Sequence, residues 1–187
     1  DGCSAEPDSD LGARLLVLNA RRLLPRFIAA ATDEAGRRAC HWRLGRRIVR
    51  RAARQARELG ADSALDATLL IAWCDGTTVY VHLYGDGCLA ARRADGGVVA
   101  IQVEYAGNAP YYLSYLLDRE RLTLYRVATG NPLAAQSVGY IDETGTTTRL
   151  ERFDAPLVFS FSLDAFPTVA VATDRGTRSR CCHTPAS

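Results

Sequence analysis

Residues 67–103 read ATLLIAWCDGTTVYVHLYGDGCLAARRADGGVVAIQV, and this stretch decides the fold. Ala67 to Trp73 is a nearly continuous apolar run, the pattern of a strand buried on both faces. Asp75-Gly76 is a hairpin turn signal, and Val79 to Tyr84 is the return strand, with His82 inside it. Gly85-Asp86-Gly87 interrupts the run before Cys88 to Ala91 resumes it. Asp95-Gly96-Gly97 makes another turn, and Val98 to Val103 is the next strand. Further on, Val138 to Asp142 and Thr147 to Phe153 read as a hairpin. Leu157 to Leu163 and Thr168 to Thr173 read as a last pair of strands. Residues 105–136 carry no readable period.

Upstream of the strands the period is helical. Ser9 or Asp10 can cap a helix in which Leu11, Leu15 and Leu18 follow at helical spacing, with Pro25 expected to kink or end it. Residues 32–43 read as a connection. From Leu44 to Leu59, Leu44, Ile48, Ala52 and Ala56 form one apolar stripe, and Gly60 ends the helix. Arginines occupy the rest of that helix, an arrangement read here as a solvated face. Two long helices followed by a meander of strands predict an α+β fold, with helices packed on antiparallel sheets.

Composition sets the outer limits. The chain has 187 residues, 48% hydrophobic and 24% charged, an ordinary globular balance with enough length for a real core. No apolar run reaches the roughly 18 residues of a membrane span, and the first residues are acidic and polar. A net charge of +2 gives no indication of a nucleic-acid partner. Cys3, Cys40, Cys74, Cys88, Cys181 and Cys182 show no zinc spacing with the histidines, so reduced thiols are expected. His82 reads as a packed or hydrogen-bonded residue, and His41 beside Cys40 shows no orienting partner at a readable spacing. There is no methionine, so a processed product or a fragment is expected.

Three aspartates fall where strands meet turns. Asp1-Gly2 opens the chain, Asp86 lies between two glycines after a strand, and Asp174 ends the last strand. Carboxylates at strand ends are hard oxygen ligands suited to Mg2+ or Mn2+. Asp75-Gly76 and Asp95-Gly96 are read as turns only.

The order of these segments resembles the type 2C, metal-dependent serine/threonine protein phosphatases, in their divergent bacterial branch. DGCSAEPDSDLGARLL is similar to the family's Asp-Gly pair leading through a small-residue loop into a long helix. DATLLIAWCDGTTVYVHLYGDGCLAARRADGG is similar to its Thr-bearing strand, hairpin and Gly-Asp ending, with Thr68, Asp75-Gly76 and Gly85-Asp86 at those places. LDAFPTVAVATD is similar to a later apolar strand ending in a metal-binding Asp.

The resemblance covers residues 1–174 and implies an antiparallel β-sandwich flanked by helices, in α-β-β-α layers, incomplete here. It implies that Asp1 bridges two ions, Mn2+ or Mg2+, that Gly2 offers its carbonyl, that Asp174 binds the first ion, and that Asp86 binds near an additional one. Asp1 and Asp174 would then be the catalytic pair, acting on phosphoserine or phosphothreonine of a phosphoprotein with a metal-activated water. The family's further Asp ligand on a following strand has no counterpart; residues 175–187 are expected to be a disordered tail outside the family domain. The alternative is a catalytically impaired pseudophosphatase or regulatory binding module of the same fold. A cytoplasmic location is expected, with no membrane and no nucleic-acid partner.

Overall fold

The structure, a computed structural model, describes residues 9–31, 33–61 and 64–173. Two helices lead the chain: α1, Ser9–Ala30, and α2, Glu34–Glu58. Eight strands follow: β1 Leu69–Cys74, β2 Thr78–Tyr84, β3 Gly87–Arg92, β4 Val98–Tyr105, β5 Gln136–Asp142, β6 Gly145–Glu151, β7 Leu157–Ser162 and β8 Thr168–Ala172. Between β4 and β5 stand two 3-10 turns, Ala106–Asn108 and Leu113–Leu116, and a short helix α3, Arg119–Ala128. The strands form two antiparallel sheets, β1-β2-β7 and β6-β5-β4-β3-β8. The fold is α+β, a helix-flanked sandwich, as expected.

Two cores hold the layers. Leu16, Leu23, Leu44, Ile48 and Ala52 of the helical pair pack with Leu69, Ile71 and Tyr84 of the three-stranded sheet. Between the sheets, Val81 and Leu83 meet Leu89, Val103 and Val138, joined by Tyr111, Tyr125 and Phe153. Alternation along β4 explains this split, since Ile101, Val103 and Tyr105 are buried while Gln102 and Glu104 are exposed.

Two helix boundaries differ from expectation. Pro25 does not end α1, which continues to Ala30. Proline removes a helical hydrogen bond four residues back, here at the Arg21 carbonyl. Both residues are exposed, so water can serve that carbonyl. Nor are residues 32–43 a connection: α2 begins at Glu34, capped by Asp33, whose carboxylate accepts from the Gly36 backbone N–H at 2.7 Å. The buried stripe of α2 extends back through His41 and Cys40. A histidine at a core position hides that stripe from a reading that counts apolar residues.

Chain crossings place the site. β2 belongs to one sheet and β3 to the other, so the chain changes sheet at Gly85-Asp86. Gly85 has φ +98, and a Cβ there would stand 2.7 Å from Thr68 Oγ1, so backbone and space both require glycine. The chain returns to the first sheet between β6 and β7 and crosses again before β8, which pairs antiparallel with β3 so that Ala172 lies opposite Cys88. The C-terminal end of β8 thereby arrives at the corner that carries Asp86.

Candidate functional site

Asp86 sits half-buried at the inter-sheet corner. Thr68, buried in the segment leading into β1, donates its hydroxyl hydrogen to Asp86 Oδ1 at 2.6 Å. Oδ1 is thus held from inside by a neighbour that is itself buried.

Asp86 opens on a cleft of about 230 Å³ lined also by Glu104, Tyr105 and Asn108. Glu104 stands on the outward face of β4 and accepts from Gln102 Nε2 at 2.8 Å. Asn108 takes a left-handed backbone, φ 53, in the turn after β4, a conformation asparagine tolerates better than most residues. The Tyr105 hydroxyl donates to Gln136 Oε1 at 2.9 Å. Burial pushes that phenol well above its ordinary value, with the negative charges of Tyr125 and Asp86 adding to the effect, so it remains a neutral hydrogen-bond donor. Glu104 and Asn108 escaped the sequence reading. The only signal was Gly107-Asn108, a turn dipeptide closing a strand.

The carboxylates of Asp86 and Glu104 and the amide of Asn108 bring oxygen to the cleft, which suits a hard divalent cation. Among the described residues no three His, Cys, Asp or Glu side chains gather as a metal centre. The described residues therefore fit one flank of an ion site. Asp1, Gly2 and Asp174, the other expected ligands, lie outside the described residues, as does the tail 175–187.

A second polar cluster braces the same corner. Asp66, buried two residues before Thr68, accepts from Ser114 Oγ at 2.6 Å and pairs with both terminal nitrogens of Arg121, the closer at 2.5 Å. It ties α3 and a 3-10 turn to the lead of β1, the segment that presents Thr68. Asp75, in contrast, is a turn residue: its Oδ1 accepts from the N–H groups of Thr77 and Thr78, which lower its carboxyl to about 2.

The histidines are used elsewhere. His41 and His82 are buried, and their Nδ1 atoms are hydrogen-bonded at 3.0 Å. Tyr84 stacks on His41 at 4.2 Å and Trp73 on His82 at 5.2 Å. His82 is thus a packed, hydrogen-bonded residue, as expected, while His41 has an orienting partner that its sequence neighbourhood gave no sign of. Cys40 and Cys74 are free thiols. Among the described residues, no helix is long and apolar enough to cross a membrane.

No curated protein and no solved structure gave a significant match. A family model described as Protein phosphatase 2C matches residues 1–174, nearly the whole chain. The chain therefore belongs to the protein phosphatase 2C family.

Proposed function

We propose that the chain hydrolyses phosphoserine and phosphothreonine esters in proteins, with Mn2+ or Mg2+ held by Asp1, Gly2, Asp86 and Asp174. The observation that carries this reading is the corner itself. The Asp86 carboxylate is aimed by Thr68 beside the end of β8. Asp174 follows Ala172 by two residues. Ala172 pairs with Cys88, so the end of β8 lies beside the corner that carries Asp86.

In this reading Asp1 and Asp174 would hold the first cation, Gly2 would offer its carbonyl from the segment ahead of α1, and Asp86 would serve an additional ion nearby. When bound, such ions polarise phosphoryl oxygens and lower the pKa of water. Thr68 keeps Asp86 oriented, and Glu104 and Asn108 line the approach as hydrogen-bonding groups for waters or for substrate. The family is generally metal-dependent and acts on phosphoproteins, which supports the same assignment.

The test is release of phosphate from a phosphothreonine peptide with and without Mn2+, paired with calorimetric titration of Mn2+. Asp1→Asn and Asp174→Asn are expected to reduce turnover by about a hundredfold or more. Mn2+ binding without turnover would point instead to a binding module of the same fold. No Mn2+ binding at millimolar concentration would remove the enzyme reading and leave the impaired binding module of the same fold.

A further inference from the structure

Charge is divided unevenly between the two halves of this fold. Residues 9–58, the helical pair, contain thirteen of the 23 arginines and only four of the 21 acidic residues. The remainder contains ten arginines and seventeen acidic residues. A net charge of +2 thus conceals a strongly basic helical layer on an acidic sandwich.

The helical pair presents that charge as one surface. α1 and α2 run side by side: Asn19 Nδ2 donates to Gln55 Oε1 at 2.6 Å, and the guanidinium groups of Arg43 and Arg47 lie over Phe27 at 5.8 and 5.5 Å. Their apolar stripes are buried against the three-stranded sheet, so the arginines project outward. Arg43, Arg47, Arg50 and Arg54 recur every three or four residues and are all exposed. At 1.5 Å per residue they form a row of roughly 16 Å along α2. None of the four enters an ion pair among the described residues. Arg14 of α1 pairs with Asp10 at 3.7 Å, and both are highly exposed.

The row also leads somewhere. The end of α2 is joined to β1 through the segment that carries Ala64, Asp66 and Thr68, and Gly12 of α1 is packed against the Ala64 backbone. Thr68 in turn holds Asp86. The helix that carries the basic row is therefore joined, through this segment, to the residue that holds Asp86.

We propose that this arginine row is a docking track for an acidic polypeptide, namely an Asp/Glu-rich or multiply phosphorylated segment flanking the phosphoresidue. The proposal rests on the phosphoprotein reading given above and adds its substrate class. Guanidinium forks pair with carboxylates and phosphates in bidentate fashion, and a one-sign surface beside a site raises the local concentration of an oppositely charged ligand. The helices' exposed faces carry no aromatic ring on which nucleic-acid bases would stack. Their exposed large apolar residues are Val17 and Leu18, too small a patch to seat the helices in a bilayer interface.

The test is fluorescence anisotropy with two phosphothreonine peptides of equal length, one flanked by Asp and Glu, the other by Ser and Gln. The protein is used with and without Arg43→Gln, Arg47→Gln, Arg50→Gln and Arg54→Gln together, with circular dichroism to verify folding. The acidic peptide is expected to bind about tenfold more tightly at low salt, and the preference to vanish in the variant and near 0.3 M salt. Equal binding of the two peptides, or a preference that survives in the folded variant, overturns the proposal. So does tighter row-dependent binding of an oligonucleotide, an anionic phosphatidylserine vesicle or a second copy of the chain. The readout needs no turnover. Failure of the hydrolysis reading appears separately, as an acidic peptide bound through the row but not dephosphorylated.

Discussion

The Thr68 hydroxyl donates to Oδ1 of Asp86 at 2.6 Å, joining the lead of one sheet to the corner where the chain enters the other. The two residues are 18 apart in sequence, and Gly85 alone allows their approach, since a Cβ there would strike Thr68 Oγ1. Partners that orient a ligating carboxylate commonly change metal affinity by about ten- to a hundredfold when removed.

Thr68→Val keeps the branched shape and deletes the donor. With Asp86 as a ligand, Mn2+ affinity is expected to fall by about tenfold, and Thr68→Ser to restore most of it. Calorimetric Mn2+ titration checks this. Stability should fall by only about 1–2 kcal/mol, the usual cost of one lost hydrogen bond to a charged group. An unchanged Mn2+ affinity in Thr68→Val would show that the bond is only structural.

Gly12 makes a second, steric demand. A Cβ at this position would lie 1.6 Å from the Ala64 carbonyl oxygen and 2.4 Å from its carbon. Both are backbone atoms, so no rotamer change relieves the overlap. Gly12→Ala is expected to destabilise the fold by about 2–4 kcal/mol in urea unfolding, because α1 or the lead of β1 must shift. Gly60→Ala is the contrast: its Cβ meets nothing within 4 Å, and its φ of +69 costs only about 1–2 kcal/mol. Equal losses for the two variants would show that the contact at Gly12 is not the constraint.

Much of the fold was legible because the strands of 67–103 are apolar runs separated by turns that carry Asp-Gly signals. The beginning of α2 was not, because His41 occupies a core position and Gly36 weakens the helical signal before the arginine-rich face begins. α3 was hidden because Tyr125 is its one buried residue, which leaves no stripe to read. At the site, Asp86 was legible from its glycines. Glu104 and Asn108 were not, since their relevance depends on β4 ending beside the β2–β3 corner, a relation that chain topology creates.

The His41–His82 pair is equally long-range, and it links the core to pH. Two neutral rings satisfy an Nδ1–Nδ1 contact at 3.0 Å if one donates and the other accepts. Burial holds His41 well below its ordinary value, with the charges of His82 and Arg38 adding to the effect. Burial, then the charge of Arg37, brings His82 from 6.5 down to about 4. The unfolded chain therefore binds more protons than the native one between these values. Stability is fully present above about pH 6.5 and is lost as pH falls toward about 4, by on the order of 3 kcal/mol for His82 alone. Asp75, lowered to about 2, stays ionised throughout that window. Urea unfolding from pH 7.5 to 4.5 should therefore give a stability that declines steeply below 6.5 in the native chain. In His41→Leu with His82→Leu the decline should be much shallower, because both buried titrating rings are gone and neither leaves an unpaired partner behind. Parallel pH profiles for the two proteins would mean that groups other than this pair set the acid stability.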